Sequence, residues 1–227
     1  MGNKPDNMTL REELRGKILA MGGLVLRGIE LSSAALVQRD GRLAEIYDLA
    51  ERVADLEQEV GVLVDRALGG LPVVRENRCE LGALLEGSQT LERIMVRSCE
   101  LATKVMEVLR GAESEAGSLV IPQFERIEQI LRRTLGAFCD SAHDEGQRIQ
   151  RVCEESRVMG VEIELQIRTI GLGRPQLVMV HTGLVALTRL SNEILELIEG
   201  LSQELLMGGY EPVGEPLPEP HGVPATA

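Results

Sequence analysis

The chain has 227 residues, of which 44% are hydrophobic and only 2% aromatic, with no tryptophan. That is enough apolar material for one large core or two small ones, and the excess of Leu, Val, Ile and Ala over aromatics favours helix packing over a sandwich or barrel. A formal net charge of -12 argues against broad electrostatic capture of nucleic acid or of an anionic lipid surface, and more easily accommodates a basic partner or a cation.

The N-terminus, Met1 to Asn7, is polar and lacks the layout of a secretory signal. No apolar run approaches the roughly 20 residues that span a bilayer, so a cytoplasmic chain without membrane insertion is expected. Leu14, Ile18, Met21, Val25, Ile29, Ser32 and Leu36 follow in steps of three and four, which makes one stripe of a first α-helix. Asp40 and Gly41 interrupt it as a cap and turn do, and Leu43, Ile46, Leu49, Val53, Leu56, Val60 and Leu63 form a second stripe. Gly69, Gly70 and Pro72 break the chain again. A third helix carries Leu81, Leu84, Leu85, Leu91, Ile94, Met95, Leu101, Val105, Val108 and Leu109.

Gly111 to Gly117, rich in Gly, Ser and Glu, reads as a linker. The pattern then restarts with Phe124, Ile127, Ile130, Leu131, Leu135 and Phe138, followed by Ile149, Val152, Val158, Val161 and Ile163. A second Gly/Pro break, Gly171 to Pro175, precedes a last helix with Leu177, Val180, Leu184, Leu187, Leu190, Ile194, Leu197, Ile198 and Leu201. Amphipathic helices cannot bury such stripes alone, and three antiparallel helices are a sufficient solution. The expectation is an all-α chain of two tandem three-helix bundles related by an internal repeat, over 8–111 and 118–207. Residues 112–117 link them, and a proline-rich, disordered tail occupies 208–227.

These residues resemble the PhoU family of phosphate-uptake regulators, whose members are tandem three-helix bundles. Met21-Gly22 within the first stripe is similar to the family's opening "L...L..MG" stretch, and Glu76-Asn77-Arg78 after Pro72 to its "DLR" triplet. Thr90-Leu91-Glu92-Arg93-Ile94 resembles the family signature "DLERIGD", and Leu187 to Asn192 holds the corresponding place in the second half. In the family a carboxylate and an aspartate four residues on contribute to metal binding. Here Glu92 keeps the first, Val96 replaces the second, and Thr188 and Asn192 stand where the second pair falls. No family-type metal cluster and no cofactor are expected. By the same resemblance, Arg75 and Arg78 at the opening of the third helix are a place for partner contacts.

Asp140, His143 and Asp144, at i, i+3 and i+4 of an expected fourth helix, have side chains that suit a divalent metal. A di-metal bundle needs two Glu-x-x-His pairs with further glutamates facing them, so exposed polar residues near a turn are the commoner reading. His181 lies among Val178, Met179, Val180 and Leu184, as a partly buried helix residue does, and Gly171-Leu172-Gly173-Arg174 lacks the lysine and preceding strand of a phosphate loop. Cys79, Cys99, Cys139 and Cys153 form no C-x-x-C pair and are expected as reduced, buried thiols. No constellation for covalent catalysis emerges.

What the resemblance implies is a non-enzymatic negative regulator in phosphate transport and phosphate homeostasis. It docks on a membrane-associated phosphate ABC transporter and a sensor histidine kinase, and a homodimer is expected. Two alternatives stay open: a metal-binding bundle for storage or metal-dependent activity, using Asp140, His143, Asp144 and Glu155, and a divergent relative that serves another transporter.

Overall fold

The computed structural model describes residues 7–38, 43–70, 75–111, 118–173 and 177–207. It contains six helices and, among the described residues, no strand: α1 (Asn7–Gln38), α2 (Leu43–Gly70), α3 (Arg75–Gly111), α4 (Ile121–Cys139), α5 (Glu145–Leu172) and α6 (Val178–Ser202). α6 continues into a π-helical turn, Gln203–Met207. The expected linker at 112–117 and tail at 208–227 lie outside the described residues.

α1, α2 and α3 pack on one another, and α4, α5 and α6 repeat the arrangement. The trios meet through α3 against α6 and α1 against α4. Four helices therefore close a central ring in the order α1, α3, α6, α4, with α2 laid on the α1–α3 side and α5 on the α4–α6 side. One continuous apolar core runs through both trios. Each fully buried Leu, Ile or Phe contributes about 1.5–3 kcal/mol relative to exposure, so the ring contacts matter as much as those inside either trio.

The α1 stripe is buried as its spacing predicts, from Leu14 to Leu36. Ser32, its polar member, donates to the Gly28 carbonyl at 2.8 Å and lies 3.4 Å from the Ser98 carbonyl of α3. By length and a mean hydropathy of 1.4, Leu10–Leu36 is long and apolar enough to cross a bilayer, which corrects the expectation that no run approaches that length. Half of this window is buried inside the fold, against α2, α3 and α4, and that packing accounts for its apolar character.

α5 overturns another expectation. Val158 and Val161, expected in the core, are 55% and 54% exposed. The buried line is Gly146, Ile149, Cys153, Ser156, Gly160, Ile163 and Ile167, in strict steps of three and four. Small residues occupy the seam because α5 lies close to its neighbours: a Cβ at Gly160 would meet the side-chain amides of Asn192 and Gln123. The apolar signal of α5 is therefore split between two faces.

Cys79 and Cys139 are exposed, against expectation; Cys99 is half-buried, Cys153 is buried, and all are free thiols.

Gly160→Ala is expected to destabilise the protein by about 1–3 kcal/mol through overpacking. Gly136→Ala, where nothing lies within 4 Å of the new methyl, is expected to stabilise it by about 0.5–1 kcal/mol through helix propensity and unfolded-state entropy. Urea titrations of the two variants check the contrast.

Candidate functional site

The signature positions fall on α3 and α6. Glu92 is half-buried, while Val96, one turn on, is 51% exposed and presents only methyl groups. In α6 the Thr188 hydroxyl is buried and donates to the Leu184 carbonyl at 3.1 Å. Asn192 Oδ1 accepts from Gln123 Nε2 of α4 at 2.8 Å, and the same nitrogen lies 3.4 Å from the Thr188 carbonyl. Gln123, Thr188 and Asn192 thus form a neutral amide-hydroxyl cluster over Gly160, with Gln123 Oε1 and the neighbouring Ser191 Oγ buried without partners. A divalent cation wants several anionic or carbonyl oxygens converging on it. One carboxylate in α3 and none at the paired places in α6 do not fit such an ion, and no group of three His, Cys, Asp or Glu residues gathers to hold one among the described residues.

Asp140, His143 and Asp144 do not share a helix face, because α4 ends at Cys139. Ser141 adopts a left-handed φ of 54°. Its N–H donates to the Phe138 carbonyl at 3.3 Å and the Ala142 N–H to the Ala137 carbonyl at 2.8 Å, the bond pair of a Schellman stop. The three residues lie at the turn between α4 and α5, where His143 Nδ1 donates to the Leu206 carbonyl at 2.7 Å. The histidine thus ties the end of α6 to this turn.

Arg15 of α1 seals the same turn from the other trio. Its Nη2 donates to the Phe138 carbonyl at 2.5 Å and to Ser141 Oγ at 3.2 Å, and its guanidinium lies 4.4 Å from the centre of the Phe138 ring. A cation at a helix C-terminus also opposes the negative end of the helix dipole. A second polar tie joins the trios where Arg93 donates to Thr90 Oγ1 at 2.6 Å and Thr90 donates to Glu204 Oε1 at 3.1 Å. Burial raises the Glu204 carboxyl above its ordinary value. Arg97 of α3 pairs with Glu193 of α6 at 3.2 Å, and Arg132 of α4 with Glu30 of α1 at 3.0 Å. None of Arg15, Gln123 or Glu204 stands out in the sequence, because nothing local marks their partners, which lie 123, 69 and 114 positions away.

The thiols of Cys99 and Cys153 are unsuited to nucleophilic work. Burial, with Glu199 nearby, pushes the Cys153 thiol up to about 12, and burial raises Cys99; the thiolate is the reactive form. His181 is buried and packs against Gly171, as a core residue does. The Gly173 N–H donates to the Ile170 carbonyl at 3.2 Å, so its amide is committed to the helix end. Arg78 is exposed on the opening turns of α3; Arg75 lies on the same helix, and its side chain is outside the described residues.

Arg15→Ala is expected to cost about 1–2 kcal/mol, from a charged hydrogen bond and a cation–π contact, with Arg15→Lys intermediate, by thermal or urea unfolding. For Glu204 the folded carboxyl titrates above its unfolded value, so its neutral form is favoured: that stabilising contribution is complete below the unfolded pKa and is lost as pH rises through the folded one. Glu204→Gln is therefore expected to raise Tm at neutral pH, with the gain shrinking as pH falls into the carboxylate range.

No family model matches the sequence. Over 129 residues, 56% of this chain, it is 24% identical to the phosphate-specific transport system accessory protein PhoU homolog of Pseudomonas putida. The match spans about half of that relative's length, 50%. In structure the chain is similar to PhoU from Pseudomonas aeruginosa, with a TM-score of 0.84 at 15% identity over 89% of this chain and 98% of that one. It is also similar to the phosphate transport system regulatory protein PhoU from Streptococcus pneumoniae, with a TM-score of 0.78 at 16% identity over 87% and 94%. The fold is thus that of PhoU, and the chain is PhoU-like.

Proposed function

We propose that this PhoU-like chain is a cytoplasmic, non-enzymatic regulator of phosphate uptake, which docks on a phosphate ABC transporter and a sensor histidine kinase and restrains the phosphate-starvation response when phosphate is plentiful. The observation that carries this reading is the PhoU fold along 89% of the chain, joined to a sequence stretch shared with a protein named for phosphate-specific transport. The chemistry of the side chains supports it from the other direction. The signature places hold Val96, Thr188 and Asn192 where cation ligands are needed, and the buried thiol of Cys153 is held protonated.

The reading assigns 8–111 and 118–207 as two repeat units joined by 112–117, with Arg75 and Arg78 at the exposed opening of α3 as partner contacts. Regulation then works by linkage: the chain binds one conformational state of its partner more tightly and shifts the population toward it, with no covalent step.

Affinity purification of the tagged full chain from cells grown at high phosphate is expected to recover a phosphate transporter ATPase or a sensor kinase, and Arg78→Glu is expected to reduce that recovery several-fold while the protein stays folded. Recovery of a transporter for a different solute contradicts the phosphate assignment and favours a divergent relative serving another system, a reading that the altered signature residues also fit. The purified, dialysed protein is expected to hold no stoichiometric iron, manganese or zinc by elemental analysis; retained metal contradicts the docking-scaffold reading.

A further inference from the structure

The seam between α1 and α2 opens on the outside of the first trio into a groove of about 540 Å³, lined by Glu13 and Lys17 of α1 and by Asp55, Glu59, Val62 and Arg66 of α2 among others. A row along α2 leads into it. Asp48, Glu51, Asp55 and Glu59 recur in steps of three and four, and Val62 and Arg66 continue the same spacing, so at 100° per residue all six fall on one face. All six are exposed. Glu59 pairs with Lys17 across the seam, whereas Asp48, Glu51 and Asp55 have no ion pair or side-chain hydrogen bond among the described residues. Two apolar side chains bracket these unpaired carboxylates. Tyr47, 49% exposed, flanks the start of the row, its hydroxyl 3.1 Å from Thr103 Oγ1 of α3, and Val62, 57% exposed, stands in the groove at the other end. The two lie roughly 22 Å apart along the helix.

We propose that this face receives a basic amphipathic helix of another protein, laid along α2 with an aliphatic side chain in the groove beside Val62 and its cations over Asp48, Glu51 and Asp55. Charge selects the occupant. Against Lys17, Arg52 and Arg66 stand the carboxylates of Glu13, Asp48, Glu51, Asp55 and Glu59, so the face is acidic. A second copy of the chain, with a net charge of -12, brings like charge to it. The chain's own residues 208–227 hold Glu211, Glu215 and Glu219 and no lysine or arginine, and nucleic acid and anionic lipid are repelled in the same way. Spacing selects a helix: cations three and four positions apart on a partner helix meet carboxylates spaced by three, four and four, as charged edge residues meet in a coiled coil. Arg66, exposed at the far end of the row, sets the direction, with the partner's basic end toward Asp48 and a carboxylate toward Arg66. This surface is separate from Arg75 and Arg78, and it does not rest on the phosphate reading.

The probe is a fluorescent synthetic peptide of about 18 residues, long enough to cover the row, with lysine and leucine at helical spacing and a glutamate at one end; a scrambled peptide of the same composition, which forms no amphipathic helix, is its control. By fluorescence anisotropy the full chain is expected to bind the amphipathic peptide more tightly than the scrambled one, with an affinity that falls as salt rises. Hydrogen exchange of the complex is expected to show protection over 48–66 of α2 and 13–17 of α1. The combined Asp48→Asn, Glu51→Gln and Asp55→Asn variant is expected to weaken binding about ten-fold, and Val62→Ser to weaken it with the charges left in place. Glu154→Gln, Glu155→Gln and Glu162→Gln together, which remove as many exposed carboxylates from α5, are expected to leave the affinity within about two-fold of wild type. Absence of binding, equal binding of the scrambled peptide, an equal loss in the α5 variant, or protection that falls outside α1 and α2 each overturns the proposal.

Discussion

The structure depends on the closure of α1, α3, α6 and α4 into one ring. Each of these helices has to bury apolar surface on three others at once, its two ring neighbours and one outer helix, whereas each outer helix has only two ring members to rest on. Where the ring is tightest the sequence carries glycine: Gly22 of α1 faces Leu135 of α4, and Gly87 and Gly183 sit where Leu205 and Val108 cross between the trios. The apolar core is consequently shared between the halves, while the packing order of the first trio is repeated by the second.

That sharing explains how the polar side chains are used. Arg15 closes the end of α4 from the other trio, Thr90 reaches Glu204, and Arg97 and Arg132 cross the seams at α3–α6 and α4–α1. These groups bind parts of the molecule together. The buried cluster of Gln123, Thr188 and Asn192 also joins parts of the molecule: its neutral amides bond α4 to α6 where charged carboxylates, without a cation, would repel. The outer helices leave different side chains accessible: Asp48, Glu51, Asp55 and Glu59 beside Tyr47 and Val62 on α2, and Val158, Val161 and Leu165 on α5.

The sequence stripes of α1, α3, α4 and α6 could be read directly because large aliphatic residues recur on one face of each. α5 could not be read that way. Its seam is built from Gly146, Ser156 and Gly160, and small residues give no hydrophobic signal, so Val158 and Val161 were the apolar positions in view although they point outward. The site fared similarly. That Val96, Thr188 and Asn192 stand at the signature places is visible in the sequence itself, but the bond between Asn192 and Gln123 depends on a tertiary contact across 69 positions. Asp140, His143 and Asp144 were spaced for a helix that Ser141 in fact ends, and nothing short of its backbone angle announces that stop, since glycine is the residue usually found there.

The central claim is that the chain restrains phosphate-starvation signalling by contact rather than by catalysis. Its most direct test is a phosphate-starvation reporter measured in phosphate-replete cells lacking the chain. The account predicts that the reporter is switched on despite ample phosphate and is silenced again by the wild-type chain supplied in trans; a reporter that stays off in the deletion strain contradicts it.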